Sequence, residues 1–487
     1  MRLKVLAILV GILAVMMVGS VATANYPANA IGQGSSDIWV MNLHESEVAN
    51  VVATYIDQDG NVDASVGGTI DPLGNTSFPA ASSGLGDNWV GSMVLFSDKP
   101  LASVAELHWQ NVPTGDGWSG AAYVGYSEGA NEMFLPGLAK TNAHRCMATI
   151  QCVDTVDCDV WMTYRDVDGN VMGASPYTEV VEADSQESYD LHDPSLNPNI
   201  PTGLPETWYG SLQVTSTQKI AAVMVVHWVF GYTAAYNGIV PGDDTEIVFP
   251  AVNRRNYGSW AGQSDWQGLT VQNINDSEVV VWLSFYALGE SDPKLAFSDT
   301  IPAYSSHGYN TRYNEALYGF DALGDAFLGT ATVTSTMPIA GISGLVRAAS
   351  GGLAGGYQAV PAGSDRLVFP VAYRVKSGTT WLNESALAVS NLDGASEVTI
   401  TLKFMNSDGT VGVQFDDTIP AASLHAYNTR YGGNTPSGPA TFDPLGDSWA
   451  GTIIVTTEDP SGEIAGVVTN QTSGSGYTYL TSGNMIR

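Results

Sequence analysis

The apolar positions of this chain come in short runs of β-branched and aromatic residues, separated by turn residues. Val279-Val280-Val281-Trp282-Leu283-Ser284-Phe285-Tyr286 and the charge-free Thr330-Ala331-Thr332-Val333-Thr334 read as strands. Asp59-Gly60, Asp168-Gly169 and Asp408-Gly409 stand between such runs and signal hairpin turns. No capped helical periodicity of any length intervenes. A different pattern occurs at the amino terminus, where Arg2 and Lys4 precede an apolar run from Val5 to Val18 and small residues end in Ala22-Thr23-Ala24. Residues 1–24 therefore read as a secretory signal peptide, shorter than the ~20 apolar residues a membrane span needs. No second apolar run of spanning length follows, so the expected product is secreted or cell-surface associated, with no transmembrane segment after cleavage.

The strand pattern is one unit written four times. Leu85-Gly86-Asp87-Asn88-Trp89-Val90-Gly91-Ser92 recurs as Leu204 to Ser211, as Leu323 to Thr330 and as Leu445 to Thr452. The shared glycines, Gly91, Gly210, Gly329 and Gly451, stand 119, 119 and 122 residues apart. A tyrosine after small residues follows in each unit (Tyr123, Tyr236, Tyr357, Tyr479). Phe134-Leu135-Pro136, Phe249-Pro250 and Phe369-Pro370 mark the junctions, where a proline suits a strand end or linker. The expected fold is all-β: four tandem antiparallel β-sandwich domains, immunoglobulin-like or jelly-roll-like, over 25–133, 134–248, 249–368 and 369–487. Four such domains in a row would form beads or a rod.

Composition narrows the functional classes. Charged residues are only 14% of the chain, yet 49 are acidic against 18 basic, a formal net charge of −31. Hydrophobic content of 44% supports folded cores and argues against disorder. The deficit of Lys and Arg excludes nucleic acid as a partner and disfavours an anionic membrane surface. Between Asn25 and Met133 there are 13 acidic residues and a single cation, Lys99. This acidity points to solubility, cation binding or repulsion along an extended chain.

Candidate chemistry is sparse. Cys146, Cys152 and Cys158 are spaced too widely for zinc, whereas a turn over 153–157 brings Cys152 near Cys158. A disulfide between those two suits an oxidising compartment, and buried thiols are the alternative. Asp57-Gln58-Asp59-Gly60-Asn61 and Asp166-Val167-Asp168-Gly169-Asn170 resemble half a calcium loop, although the first ligand position falls on Tyr55 or Tyr164. Ca²⁺ held by Asp57 and Asp59, or by Asp166 and Asp168, is the one cofactor the sequence leaves open; otherwise it implies none. Gly125-Tyr126-Ser127-Glu128-Gly129 matches a nucleophile-elbow pattern but belongs to no strand–helix turn, so it reads as a loop.

Two constellations remain. His108-Trp109 and His227-Trp228 are equivalent, and Trp109 and Trp228 are candidates to offer a flat ring to a sugar. His307-Gly308-Tyr309-Asn310-Thr311-Arg312-Tyr313 reappears as His425-Ala426-Tyr427-Asn428-Thr429-Arg430-Tyr431. On a strand, His307, Tyr309 and Tyr313 would share one face and Arg312 the other. The repeated arginine is expected to pair with a carboxylate of its own or the next unit, or to contact an anion, a sugar or a protein. With no coherent catalytic set, the expectation is a non-enzymatic secreted or cell-surface module of structural, adhesive or assembly type. Its partner would be a cell-surface glycan or protein, or a second copy of itself. A carbohydrate-binding protein using exposed Trp and Tyr is the alternative, and a β-sandwich hydrolase the third.

Overall fold

The computed structural model describes residues 14–16, 33–86, 89–110, 118–141, 144–173, 175–192, 204–228, 231–256, 264–312, 318–348, 353–433, 441–459, 461–474 and 477–484. Among them the helical elements are three short 3-10 turns; all other regular structure is β-strand, paired antiparallel. The first unit is a sandwich of two four-stranded sheets. One sheet orders Ala14–Met16, Gly91–Ser97, Ala49–Asp57 and Val62–Ile70; the other orders Asn75–Pro79, Gln33–Asn42, Leu101–Gln110 and Trp118–Val124. The later units repeat this plan with their two sheets joined. In the second, Trp208–Trp228 runs unbroken where the first unit has two strands. Alternation sets the faces: Val279, Val281, Leu283 and Phe285 are fully buried, while Trp282 between them points outward and is 45% exposed. Most of the expected leader, with its expected cleavage site, lies outside the described residues. Ala14–Met16 pairs with Met93–Leu95, the edge that Ala130–Thr141, Glu246–Asn256 and Arg366–Ser377 cover in the other units.

The repeated Gly and Pro have one cause. Pro136, Pro250 and Pro370 fall inside those covering strands, at β-bulges, where a residue without an N–H donor breaks no ladder. Opposite stand Gly210, Gly329 and Gly451. A Cβ on any of them, or on Gly91, would collide with a backbone carbonyl oxygen, that of Arg165, Tyr286, Met405 or Ile56 respectively.

The units do not form beads or a rod. They close into a ring. The hairpin of each unit receives a loop of the next: Gly60 meets Ala183, Gly169 meets Ala303, and the Gly289 N–H donates to Ser423 Oγ at 2.6 Å. The fourth joint returns to the start, where Gly409 meets Pro72 and the Asn75 N–H donates to Ser407 O at 3.0 Å. The inserted loops carry the non-glycine residues Leu73, Asp184, Tyr304 and Ala422 at φ between 52° and 63°, one per joint. Around the axis, Trp118–Val124, Tyr232–Asn237, Leu353–Gln358 and Tyr477–Asn484 lie side by side. The Gln358 side-chain amide donates to Asn237 O, and that of Asn237 to Val124 O. Tyr479 leaves the expected register: it pairs with Thr472, and Gly483 stands opposite Val468 where Tyr357 stands opposite Ser343. Cores merge across joints. Met41 and Ala102 of the first unit pack with Val368, Met405 and Ile454 of the fourth. There the buried Glu106 accepts from Tyr373 Oη at 2.5 Å and Asn470 Nδ2 at 3.1 Å.

Candidate functional site

The sequence candidates separate into structural residues and one true surface feature. Trp109, expected as a sugar platform, is 1% exposed; its ring meets His227 edge-on at 4.9 Å in the joint between the first and second units. That joint takes it out of reach of any ligand. Tyr309 and Tyr427, also ligand candidates, are buried, and each donates to a carboxylate: Asp299 Oδ2 at 2.9 Å and Asp417 Oδ2 at 2.6 Å. His307 and His425 hydrogen-bond to the same two carboxylates through Nδ1, at 2.8 and 2.9 Å. Burial pushes the Asp299 carboxyl up, but the hydrogen bond and charge of His307, with the Tyr309 hydroxyl, hold it below its ordinary value. These two Asp–His–Tyr sets lock the strands that carry them, and His307 also reaches Val167 O of the preceding unit at 3.3 Å. In the structure they serve as internal struts.

The acidic turns are likewise satisfied locally. Asp57 Oδ1 accepts from the N–H groups of Asp59 and Asn61, and Asp166 Oδ1 from those of Asp168 and Asn170. Such Asx turns build hairpins, and no group of three or more metal-ligating side chains occurs among the described residues. Cys152 and Cys158 form a disulfide between adjacent strand ends, and Cys146 is a buried thiol pushed up to about 12 by burial. Ser127 is exposed in the loop that carries it, and neighbouring Tyr126 is buried, donating to Ala222 O.

Trp228 and Arg312 come together. They line opposite walls of a cleft of about 710 Å³ between the second and third units. One wall is an aromatic row. His144, Trp228 and Tyr232 stand directly opposite one another on three adjacent strands, and His144 packs edge-on against both Trp228 (5.7 Å) and Tyr209 (6.0 Å). Tyr209 is half exposed. Burial lowers the His144 pKa, reinforced by His192, which favours the neutral ring, and Nδ1 lies 2.9 Å from Thr141 Oγ1. The other wall is Trp266, with the Arg312 guanidinium stacked 4.2 Å from its ring centroid. Burial raises the Tyr232 pKa, and the charge of Arg312 opposes that shift.

The floor explains why this joint is open. Asn310, Gly268, Gly344 and Gly356 pair in one row across four strands, and a Cβ on Gly268 or Gly344 would meet nothing within 4 Å. At the first joint the same row is Met147, Val225 and Ala235, and His227 beside it meets Trp109. Large side chains fill that joint; glycines leave this one hollow. Tyr313 lies outside the described residues. Arg430 stacks on Tyr431 at 4.6 Å and pairs with Glu384 at 3.3 Å, as expected of an arginine matched to a carboxylate of its own unit.

Sequence reasoning missed His144, Tyr209, Tyr232, Trp266 and the glycine floor. None repeats, so self-comparison passes over them; the available signal was Gly268 and Gly344 replacing bulky residues of the aligned second unit. It also missed three cations four residues after the junction prolines. Arg254 binds Gly324 O and Asp325, Arg374 binds Gly446 O and Asp447, and Lys140 reaches Leu204 O and Glu206.

No family model and no curated protein matches the chain. Among solved structures, the chain is similar to Thermotoga maritima 1070, 18% identical over 26% of this chain and 94% of that one, with a TM-score of 0.18. It is also similar to the Anabaena sensory rhodopsin transducer, 21% identical over 19% of this chain and 93% of that one, with a TM-score of 0.16.

Proposed function

We propose that this protein is an exported, non-enzymatic binding protein whose ring of four β-sandwich units presents a carbohydrate site at the joint between the second and third. One observation carries the reading: Trp228, Tyr232, Tyr209 and Trp266 face one another across a hollow whose floor is glycine. Aromatic faces stack on the apolar faces of sugar rings, and the cleft volume lies in the range of small-molecule sites. Asn310 and Thr270 on the same lining supply polar groups for hydroxyls. Glycoside hydrolysis needs a pair of carboxyl groups across the scissile bond, and the described lining holds no Asp or Glu. The leader-like amino terminus and the Cys152–Cys158 disulfide support export. The structural and adhesive role expected from the sequence then becomes that of a rigid scaffold holding this site.

The test is a glycan array probed with wild-type protein and Trp228→Ala. Binding by the wild type, weakened at least about tenfold in the variant, is the expected result. Absence of binding, or binding indifferent to Trp228→Ala, overturns the reading.

A further inference from the structure

We infer that the joint between the third and fourth units holds a second carbohydrate site, a groove that takes a neutral sugar residue against the ring of Trp282. The inference does not depend on the cleft between the second and third units; it adds a site in the next joint.

At each joint the inserted loop presents one residue at positive φ to a sheet face of the unit before it: Asp184, Tyr304, Ala422 and Leu73 in turn. Tyr304 covers its sheet, its ring stacked on Phe134 at 6.4 Å between centroids and met by the Arg165 guanidinium at 4.9 Å. Leu73 packs against the cluster of Val368, Met405 and Ile454. At the third–fourth joint the residue is Ala422. Its single methyl leaves a groove of about 320 Å³, lined by Trp282, Ser284, Tyr286, Thr332, Thr334 and Glu246 among others.

The floor changes together with the insert. Thr332 stands where the second and fourth units have Gln213 and Ile454, opposite Val248, Phe134 and Val368 respectively. Glu246 is the counterpart of Glu132, each facing a threonine across the strand pair, Thr334 and Thr215. In the second unit Gln213 Nε2 donates to Glu132 Oε1 at 2.7 Å and ties that carboxylate down. A threonine lacks the length for that reach. Among the described residues Glu246, Ser284, Thr332 and Thr334 have no hydrogen-bond partner for their side chains. The third unit thus exchanges a covered, apolar or tied-down floor for bare hydroxyls and a bare carboxylate.

Such a floor suits a sugar. Ser and Thr hydroxyls both donate and accept, as pyranose hydroxyls do, and a carboxylate accepts from them. Trp282, directly opposite Thr334 and 45% exposed, offers its ring to the apolar face of the pyranose. A peptide strand would need unpaired backbone groups, but Val279–Ala287 and Phe327–Ser335 are each paired on both sides. The charge of Glu246 opposes an anionic sugar and favours a neutral one.

The experiment is an array of neutral cello-, xylo-, manno- and malto-oligosaccharides with uronate oligomers alongside. It is read with wild type, Trp228→Ala, Trp282→Ala and Ala422→Tyr, and with Trp228→Ala combined with each of the other two. Ala422→Tyr restores the insert of the neighbouring joint, where Tyr304 has φ 56° against 52° at Ala422. The expected result is neutral-glycan binding that survives Trp228→Ala and falls at least about tenfold when either second substitution is added. The melting temperature of Trp282→Ala should match wild type, because the ring is exposed. Loss of all binding in Trp228→Ala alone overturns the second site and leaves the first cleft standing. Binding that falls in Trp282→Ala and Ala422→Tyr but ignores Trp228→Ala upholds this site and overturns that cleft. Trp282-dependent binding confined to uronates overturns the neutral ligand. No binding at all, or binding unmoved in every variant, overturns both sites.

Discussion

Single residues show why the repeated motif is written as it is. Gly329 faces the Tyr286 carbonyl so closely that Gly329→Ala must displace a strand, at a cost of about 2–3 kcal/mol in urea unfolding. The four glycines were legible in the sequence as a period; their cause was not, because the colliding carbonyl lies 35 or more residues away in the chain. His227 illustrates burial. Complete burial drives its pKa down to about 3, so the folded state holds it neutral. Between about pH 6.5 and pH 3 the unfolded chain binds a proton that the folded chain refuses, and stability falls as pH drops through that window. The shift from 6.5 to about 3 corresponds to a loss on the order of 5 kcal/mol by its end. His227→Gln should lose less stability than wild type between pH 6.5 and 4.5 in parallel denaturant titrations. Sequence alone paired His227 with its neighbour Trp228; the fold pairs it with Trp109, from the equivalent dipeptide one unit earlier.

At the scale of strands and turns, the Leu-Gly-Asp segment is held by a cation from the covering strand. Arg254 is 1% exposed, and its partners Asp321 and Asp325 are more than half exposed. Arg254→Met should therefore cost about 2 kcal/mol, less than the loss of a fully buried pair, since both carboxylates return to water. The Phe–Pro junctions were readable as breaks, yet they are bulged strands. A proline without a donor looks the same to sequence reasoning whether it ends a strand or bulges one. The disulfide between Cys152 and Cys158 was the most legible local feature, because six residues of separation with a turn between them leave few geometries. The strands that carry the two cysteines nonetheless pair with different parts of Trp208–Trp228 and not with each other. Closing so short a loop stabilises by only about 2 kcal/mol, so Cys152→Ser combined with Cys158→Ser should lower thermal stability modestly and leave the fold intact.

The whole molecule is where sequence reasoning stopped. A fourfold repeat says nothing about whether the last copy meets the first, since that contact joins residues such as Glu106 and Tyr373, 267 positions apart. Closure predicts a radius of gyration near that of one compact chain, about 23 Å by small-angle scattering, whereas four domains end to end would give about twice that. The ring also gives meaning to asymmetry among the copies. One position in the joint row is Glu106, Val225, Gly344 and Thr469 in successive units, and only the glycine leaves space. The most direct measurement is isothermal titration of the best array-selected oligosaccharide into wild type and Gly344→Val. A Cβ there meets nothing within 4 Å, so the valine fills the cleft without disturbing the sheet. The ring-joint account predicts an unchanged melting temperature with affinity lowered about tenfold or more. Equal affinity in the two proteins would contradict it.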